Sequence, residues 1–586
     1  MDFFSILTLI GGLAMFLYGM DIMGDGLKKL SGSKLEMILG KLTSNKYKGF
    51  LLGLIVTAVI QSSSATTVML VGFVNSGIMK LGQTISIIMG ANVGTTVTAW
   101  ILSLSGINGE SFFIKLLKPS SFTPVLAMIG ILLNFVGKND KHKDIGSILL
   151  GFAVLMFGME TMSGSVSGLK DSPQFSRMMV MFSNPLMGIL VGFVLTAIIQ
   201  SSSASVGVLQ ALSVTGVINF ATAMPIILGA NIGTALTPVL SAINGNTDAK
   251  RVAVSCVYIK VISVLITAGI FYMLNAFINF SFMDDTVGVV YIAVIHTAFN
   301  VIATVILMPF CSWIADLSKK TIRRKTAKKE NEIFDTLDER FLSMPGFAVE
   351  KCREVVCEMA ELSKKSFIDS LSLLNNFDKK LASGIRESEN EVDTYEDKTS
   401  TYLVHLASSK LSDSDSREVT KLLHVVGDVE RISDHAVNVI EVAQEIHDKN
   451  IVFSEKAQKE IETITSAVTE ILTLAVKALN DEDRVAAKKV EPLEQTIDKL
   501  KHDIKNNHVE RLRSGQCTME MGFVLSDLLT NCERVSDHCS NIAVCILEMA
   551  HNSLETHEYL SHVKNDGINH FFEQYEEYKE KYKLRN

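Results

Sequence analysis

The chain has 586 residues, which is long for a single domain, and its charged residues are distributed very unevenly. Residues 1–318 contain 17 Lys or Arg and 13 Asp or Glu, about 9% of that segment, whereas residues 319–586 contain 38 and 50, about 33%. Soluble domains average roughly 25% charged residues. Composition therefore excludes a water-soluble first segment and predicts two parts that fold in different solvents.

The apolar part begins with a segment that predicts a first membrane span. Residues 1–21 have neither a basic n-region nor a small-residue cleavage site, which distinguishes them from a cleaved signal peptide. Residues 26–48 carry six lysines between short apolar patches and favour an interfacial or re-entrant hairpin over a full span. Residues 252–280 and 287–315 predict two late spans. We expect about eight spans plus hairpins.

The apolar part also contains an internal repeat with a constant offset of 139 residues. The matching segments are Gly53–Ala65 with Gly192–Ala204, Gly90–Thr96 with Gly229–Ala235, and Gly12–Met20 with Gly151–Met159. The first pair is identical at nine of thirteen positions. Because one offset serves three motifs without a gap, we infer duplication of a unit of about 140 residues.

Polar residues interrupt the apolar segments at corresponding places in both repeats. Gln61-Ser-Ser-Ser64 falls near the middle of one apolar stretch, and Gly90-Ala-Asn-Val-Gly94 falls within the next. Paired interruptions of this kind are typical of discontinuous helices in transporters, whose freed backbone must be covered by protein or line a water-filled cavity. Close packing of small residues is the competing interpretation, but recurrence of the serines beside an amide in both halves favours binding.

The residue types at these interruptions suit an oxyanion and a cation together. A hydroxyl group can donate to an oxyanion and accept toward a cation. N–H groups at a helix start favour an anion, and free carbonyls at a helix end favour Na⁺. The glycines at 90, 94, 229 and 233 are interpreted as allowing the backbone to approach a ligand closely.

Charged residues are scarce near these motifs. No Arg or Lys lies within either Gln-Ser-Ser-Ser motif, so bound sodium ions are expected to neutralise the anion. A proton-driven carrier more often has a carboxylate or histidine at this depth. Asp21 and Glu160 follow apolar runs and are interpreted as interfacial, with a coupling role left open. Lys260 and His296 are interpreted as snorkelling or satisfied within the helix bundle.

The duplicated Gln-Ser-Ser-Ser and Gly-Ala-Asn-x-Gly-Thr motifs resemble those of the type II sodium-dependent phosphate cotransporter family, including its bacterial branch, over about residues 1–315. The resemblance implies inverted repeats, broken helices or re-entrant hairpins, and one site for inorganic phosphate and sodium. The ligands that it implies are Gln61, Ser62, Ser63, Ser64, Thr66, Asn92, Thr95, Thr96, Gln200, Ser201, Ser202, Ser203, Asn231 and Thr234. The second repeat has Val206 where the first has Thr67, and Ala235 where the first has Thr96. It therefore offers fewer hydroxyl groups, and the bound ions cannot be assigned one to each repeat.

A basic run from Lys319 to Lys329 follows the last apolar segment and predicts, by the positive-inside rule, that the remaining chain is cytoplasmic and that the protein lies in the cell membrane. Six of the eight cysteines lie in this later part without metal-like spacing, as expected of reduced cytosolic thiols. The predicted domains are a membrane domain at 1–316 (repeat 1 about 1–137, repeat 2 about 145–275, extra span 287–316), a basic linker at 317–344, a helical domain at 345–552 and a charged tail at 553–586.

The charged part contains a second repeat on amphipathic helices with a period near 3.6. Glu430-Arg-Ile-Ser-Asp-His-Ala-Val-Asn438 matches Glu533–Asn541 at an offset of 103. An earlier helix in each unit carries a Glu-x-x-x-Asp pair, whose carboxylates share one helix face. Two such helices could surround a hard cation with four carboxylates, although a single pair is more often a solvated charged face.

The repeated nonamer resembles that of the PhoU family over roughly residues 345–550. The resemblance implies a helical bundle of two three-helix units that binds metal clusters and acts in phosphate homeostasis. The implied ligands of a divalent or trivalent metal are Glu389, Asp393, Glu430, Asp434, Glu494, Asp498, Glu533 and Asp537. Arg431 and Arg534 could pair with carboxylates in place of metal. Residues 573–583 mix charges with tyrosines and predict a solvated helix.

These observations predict an all-α polytopic membrane protein that transports inorganic phosphate with sodium and carries a regulatory PhoU-like domain. An enzyme is not expected, because no nucleophile–base set, P-loop or zinc-hydrolase motif occurs. The expected partners are phosphate, sodium and the lipid bilayer, with no nucleic acid because a basic stripe is lacking; a homodimer through either domain is left open. The alternatives are a phosphate exporter, a non-transporting sensor of phosphate or metal, and transport of a similar oxyanion such as sulfate. Intact motifs in both repeats favour transport.

Overall fold

The computed structural model describes residues 3–41, 45–106, 118–137, 139–323, 337–409, 411–548 and 568–584. The chain divides into two compact units, Met1–Phe347 and Ala348–Asn586. The described ranges form α-helices and short 3₁₀ turns and contain no strand, which confirms the all-α prediction.

Fifteen helices are described in the first unit. They are α1 Phe3–Lys41, α2 Lys46–Ile60, α3 Ser63–Asn75, α4 Leu81–Gly94, α5 Thr96–Ser103, α6 Pro119–Val136, α7 Asp140–Val166, α8 Pro173–Phe182, α9 Pro185–Ile199, α10 Ser202–Ser213, α11 Phe220–Gly233, α12 Leu236–Ser241, α13 Thr247–Ile278, α14 Val289–Leu307 and α15 Cys311–Thr321. Several begin at residues that favour helix starts, such as proline at the first position of α6, α8 and α9. Among the described residues, seven helical stretches are long and apolar enough to cross a membrane, and the α8–α9 pair, bent by 101°, adds an eighth if it counts as one span.

The equivalent first helices of the two repeats, α1 and α7, pack closely against each other along a stripe of glycines. A Cβ atom built on Gly19 would lie 2.3 Å from the Leu155 backbone nitrogen, and one built on Gly158 would lie 2.4 Å from the Phe16 nitrogen. Gly12 faces Gly158 while Gly19 faces Gly151, so residue numbers rise along one helix as they fall along the other. Repeat-equivalent helices that run antiparallel are the arrangement expected of inverted repeats.

The prediction of a hairpin at residues 26–48 is wrong for residues 26–41. These residues continue α1, which is one helix of 39 residues. Lysine is a good helix former and does not interrupt a helix, and Lys28 pairs with Asp25 one turn earlier at 3.5 Å. Residues 42–44 lie outside the described ranges, and α2 begins at Lys46.

The second unit contains two consecutive sets of three helices, as predicted. They are α16 Pro345–Ser372 (which begins within the first unit), α17 Lys379–Ala407, α18 Asp413–Asp448, α19 Glu455–Asp481, α20 Arg484–Arg513 and α21 Met519–Glu548. The repeat-equivalent helices α18 and α21, which carry the nonamer, pack against each other. Both helices carry apolar residues that are almost completely buried: Val425, Val429 and Ile432 on α18, and Leu528, Val535 and Ile542 on α21.

A final described helix, α22 Ile568–Lys581, packs against α20. The prediction of a helix within residues 573–583 is confirmed, but the prediction that it is solvated is wrong. Tyr578 and Tyr582 are 9% and 7% exposed, and the Tyr582 hydroxyl and Lys581 ammonium both bond to Glu470. Burial of the two rings explains why this charged helix docks.

Candidate substrate and ion site

The first Gln-Ser-Ser-Ser motif divides its apolar segment into α2 and α3. Gln61 adopts a left-handed backbone conformation (φ 59°, ψ 22°), and its N–H donates to Thr57 O at 2.8 Å. Ser62 is extended, and its Oγ caps α3 by accepting from Ala65 N at 3.2 Å. We call Gln61 and Ser62 the first polar turn. Because a left-handed conformation is unfavourable for glutamine, its retention here points to a role for the side chain.

The second motif repeats this geometry between α9 and α10. Gln200 has φ 59° and ψ 20°, and its N–H donates to Thr196 O at 2.7 Å. Ser201 is extended, and its Oγ accepts from Ala204 N at 3.2 Å. We call Gln200 and Ser201 the second polar turn. The prediction of paired broken helices is confirmed at these two turns.

One pair of hydroxyl groups joins the two helices at each polar turn. Thr57 Oγ1 donates to Thr66 Oγ1 at 3.0 Å, and Thr196 Oγ1 donates to Ser205 Oγ at 2.8 Å. Thr57 and Thr196 were missed as site residues in the sequence, although both lie inside the repeated motif. Four hydroxyls of the predicted set form no hydrogen bond with another described residue and are available to a ligand: those of Ser63, Ser64, Ser202 and Ser203.

The predicted breaks at the Gly-Ala-Asn motifs are displaced and smaller than expected. Helix α4 runs through the motif to Gly94, and α11 runs to Gly233, so that only short turns follow. A Cβ atom on Gly90 would lie 2.0 Å from Phe50 O, and one on Gly229 would lie 2.0 Å from Ile189 O. These glycines therefore let α4 and α11 approach α2 and α9, rather than exposing backbone to a ligand as the sequence had suggested.

The remaining predicted ligands lie at the ends of these two helices. Thr95 Oγ1 donates to Ala91 O at 2.9 Å, and Thr96 Oγ1 donates to Val93 O at 2.7 Å. Because these hydroxyl hydrogens are occupied, the oxygens can act only as acceptors toward a ligand. Asn92, which precedes them on α4, is buried.

In the second repeat the corresponding residues are Asn231 and Thr234. Both are buried, and Thr234 Oγ1 donates to Asn231 O at 2.8 Å. Asn231 Nδ2 is a buried donor without a hydrogen-bond partner among the described residues. An unpaired buried donor is costly, which is expected where a ligand supplies the partner.

The first polar turn has a further partner that sequence reasoning missed. Thr98 Oγ1, on α5, donates to Gln61 Oε1 at 2.8 Å, while Gln61 Nε2 donates to Ala58 O. Its repeat equivalent Thr237 has a buried hydroxyl without a partner among the described residues, and Gln200 is exposed. The repeat offset was the signal that could have found both threonines.

Helices of the two repeats pack against each other in matching pairs. Helix α3, which starts at the first polar turn, contacts α12, and α10, which starts at the second, contacts α5. Gln210 on α10 donates to Ala99 O at 3.1 Å, next to Thr98. The two polar turns are thus connected through packed helices, and within the described residues no hydrogen bond joins them directly.

The four charged or titratable residues singled out in the membrane part lie in different surroundings. Asp21 and Glu160 are exposed and fall inside the apolar stretches of α1 and α7, not at their ends as expected. Lys260 and His296 are each 3% exposed. Lys260 donates to Thr234 Oγ1, so the snorkelling interpretation is wrong and the lysine is bonded inside the bundle.

In the second unit the predicted metal ligands form two groups of carboxylates. Burial, then Asp434 and Asp393, raise the pKa of Glu430 to about 7, and burial, then carboxylates including Asp537, raise that of Glu494 to about 8. Burial and nearby carboxylates also raise the pKa of Glu389 and of Asp537. In each group, burial first and neighbouring carboxylates second disfavour the ionised form.

The donor chemistry of these groups fits a hard cation, but their side chains are not gathered around one point. Among the described residues, no three His, Cys, Asp or Glu side chains converge closely enough to hold a metal ion. Lys501 Nζ lies 2.6 Å from Glu533 Oε1 and neutralises part of the second group.

Two apolar repeats with inverted first helices and a polar turn in each define a membrane protein of the secondary-transporter class. The family model described as Na+/Pi-cotransporter matches residues 15–164 and 168–295, and the PhoU domain model matches residues 356–443 and 461–546. The chain belongs to the Na+/Pi-cotransporter family and carries PhoU domains after its membrane part.

Two curated relatives and one solved structure illustrate the extent of similarity. "Putative inorganic phosphate export protein YjbB" of Salmonella typhimurium is 23% identical over 95% of this chain and 100% of its own length. "Uncharacterized protein YqeW" of Bacillus subtilis is 30% identical over 51% of this chain and 92% of its own. The crystal structure of PhoU from Pseudomonas aeruginosa is 24% identical, covering 35% of this chain and 97% of its own, with a TM-score of 0.33.

Proposed function

We propose that this protein is a sodium-coupled transporter of inorganic phosphate in the cytoplasmic membrane, and that its PhoU domains, on the cytoplasmic side, regulate transport. The observation that carries the proposal is the pair of polar turns. Each interrupts an apolar segment with a left-handed glutamine and two serine hydroxyls that have no hydrogen-bond partner among the described residues. Hydroxyl and amide groups of this kind can bind an oxyanion and a sodium ion side by side.

The predicted ligand residues divide between these roles. The free hydroxyls of Ser63, Ser64, Ser202 and Ser203 can donate to phosphate oxygens. Thr95 and Thr96, whose hydrogens point to backbone carbonyls, present oxygen atoms to Na⁺. Oxygen atoms are the ligands that hard cations prefer. Alternating access then follows from motion of one repeat relative to the other.

Net export is the second candidate, since the similar Salmonella typhimurium protein has a name that describes phosphate export. An alternating-access carrier moves its substrate along the combined gradients, so one assay tests uptake and export. Purified protein is reconstituted in liposomes, and flux of labelled phosphate is measured in both directions with sodium or potassium gradients. Sodium-dependent flux supports the proposal, equal flux with potassium contradicts sodium coupling, and no flux of phosphate or sulfate favours a sensor.

Variants at the polar turns connect the flux to the site. Gln61→Ala and Gln200→Ala are expected to abolish sodium-dependent flux. Gln174→Ala is the matched control, because Gln174 is exposed at the start of α8. Unchanged flux in both turn variants would show that the polar turns are not the site.

The two carboxylate groups of the second unit would hold the proposed regulatory metal. Because their side chains do not converge among the described residues, they would have to turn toward a bound cation: Glu389, Asp393, Glu430 and Asp434 in one group, and the equivalent Glu494, Asp498, Glu533 and Asp537 in the other. Burial and, after it, repulsion by neighbouring carboxylates raise the pKa of Glu430 and Glu494, and a bound cation would offset the repulsion. A regulatory role is proposed from the match of this unit to the PhoU domain model.

A further inference from the structure

Lys260 occupies an unusual position for a charged residue in a membrane protein. It lies midway along α13, is 3% exposed, and α13 contacts α3 and α4 of the first repeat as well as α11 of the second. A lysine in an apolar helix ordinarily extends to the bilayer surface. One held inside the bundle marks a functional site by default.

The ammonium group has no acidic partner. Within the described residues no carboxylate lies within 4.0 Å of Lys260 Nζ, whereas most buried lysines are paired. Its bonded neighbour is Thr234 Oγ1, one of the predicted ligands, at the end of α11. The partial negative charge at that helix end stabilises a cation only weakly, so it does not replace a carboxylate partner.

Two further buried groups near the ammonium also lack partners. Asn231 Nδ2, one helical turn before Thr234, has no hydrogen-bond acceptor among the described residues, and Asn231 is 6% exposed. His296 Nδ1 on α14 is likewise unpaired, and His296 is close enough to Lys260 to interact electrostatically. Buried donors without acceptors are uncommon in folded proteins. The ammonium, the Asn231 amide and, in the tautomer that protonates Nδ1, the His296 imidazole are donors that suit an oxyanion.

We propose that Lys260 supplies a fixed positive charge for the transported oxyanion, with Asn231 as a second donor. The inference rests on the proposed function and changes one part of it, because sodium is then not the only source of positive charge. The charge belongs to one repeat alone. The position 139 residues earlier is Ser121, which is exposed on α6.

The central experiment compares Lys260→Met with Lys260→Arg in proteoliposomes. Uptake of labelled phosphate is measured against phosphate concentration at saturating sodium, and against sodium concentration at saturating phosphate. Removing a buried charge that contacts the ligand is expected to raise the half-saturating phosphate concentration about tenfold or more, while half-saturating sodium changes about twofold at most. Lys260→Arg keeps the charge and should retain a substantial part of the affinity. Lys48→Met is the control, since Lys48 is exposed.

A purely structural role for Lys260 predicts different results. It would lower the maximal rate and the melting temperature, leave half-saturating phosphate unchanged, and affect Lys260→Arg and Lys260→Met alike. That outcome overturns the inference. If Lys260→Met does not fold, Asn231→Asp provides the second test, because a carboxylate one turn from Thr234 would pair with the ammonium. The measurement is the melting temperature of the detergent-solubilised protein over a range of phosphate concentrations. In Asn231→Asp, the phosphate concentration that gives half of the maximal stabilisation should rise about tenfold or more.

The two proposals fail in distinguishable ways. Absence of sodium-dependent phosphate flux in the wild-type protein refutes the proposed function and this inference with it. Wild-type flux with unchanged phosphate affinity in both Lys260→Met and Asn231→Asp refutes the inference alone.

Discussion

Thr98 and Gln61 are joined by a 2.8 Å hydrogen bond from the threonine hydroxyl to the glutamine Oε1. The bond crosses from α5 to the first polar turn and, with the bond from Gln61 Nε2 to Ala58 O, fixes both ends of the amide. The equivalent pair in the second repeat is not joined, since Gln200 is exposed and the Thr237 hydroxyl is unpaired among the described residues. The two turns have the same backbone conformation, but the amide of Gln61 is hydrogen-bonded to Thr98 and the amide of Gln200 is not bonded to Thr237.

Thr98→Val is therefore expected to weaken substrate or sodium binding while leaving the fold intact. Valine has nearly the shape of threonine, and a lost hydrogen bond costs about 0.5–1.5 kcal/mol, which corresponds to an increase of up to about tenfold in a half-saturating concentration. The measurement is phosphate flux in proteoliposomes over a range of sodium and phosphate concentrations.

Thr237→Val is the matched control, because it makes the same change in the other repeat where no such bond exists. It should leave both half-saturating concentrations within about twofold of the wild-type values. Equal effects of the two variants would contradict a positioning role specific to Thr98.

The sequence predicted the features that depend on neighbouring residues. A Gln-Ser-Ser-Ser motif within an apolar segment forces a helix to end and restart, and a serine after the break is a natural cap. Because the repeat has an offset of 139 residues, the helix break predicted at Gln61 was also predicted at Gln200. Similarly, the nonamer on α18 and α21 identified the paired helices of the second unit.

Features that depend on tertiary contacts could not be predicted in this way. A glycine at position 90 could expose its backbone to a ligand or make room for a neighbouring helix, and the local sequence is the same in both cases. The short distance from Gly90 to Phe50 O shows that it makes room for a helix. Lys260 is 26 residues from Thr234 and on a different helix. Lys260 is buried because helices of both repeats pack around it. The local sequence pattern does not predict how distant helices pack.

Gly19→Ala is expected to destabilise the membrane part. The added methyl group would lie 2.3 Å from Leu155 N and 2.7 Å from Gly151 O, so α1 and α7 would have to separate. Overpacking of this kind costs about 1–3 kcal/mol, and the melting temperature of the detergent-solubilised protein should fall.

Gly164→Ala is the control on α7, because a Cβ atom there meets nothing within 4 Å. Alanine favours a helix over glycine by up to about 1 kcal/mol, so this variant should be neutral or slightly stabilised. An equal loss of stability in both variants would contradict the assignment of the loss to the contact between α1 and α7.

A divalent cation is expected to stabilise the full-length protein through the carboxylate groups of the second unit, and more strongly as the pH rises. Glu494 has a pKa raised from 4.5 to about 8, so its contribution to stability is fully present below pH 4.5 and is lost as the pH rises through about 8. A cation would restore stability once the carboxylates are ionised. The measurement is the melting temperature with chelator or Mn²⁺ at pH 6 and pH 9.

The Glu494→Gln variant should reduce both the pH dependence and the response to Mn²⁺, because it removes one ionisable ligand. Glu387→Gln changes an exposed carboxylate two residues before Glu389 and should preserve both. Absence of any response to Mn²⁺ in the wild-type protein would count against metal binding at these groups.

Phe341, near the end of the predicted basic linker, attaches this part of the chain to α3, the helix that starts at the first polar turn. Its ring is completely buried, with centroids 4.8 Å from Phe347 and 5.6 Å from Phe73. Asn75, at the end of α3, donates through Nδ2 to Asp338 Oδ2 at 2.7 Å. Aromatic packing and this hydrogen bond both fix the segment to the same helix.

Phe341→Ala should release the segment, since deletion of a buried phenylalanine costs about 3–5 kcal/mol. Limited proteolysis is expected to become much faster near residues 338–347, while Phe277→Ala, which removes an 84% exposed ring of α13, should leave the cleavage rate unchanged. If α3 must move for transport, release should also change the sodium-dependent flux of phosphate. Faster cleavage with unchanged flux would show that the segment is anchored to α3 without affecting the motion that carries the substrate.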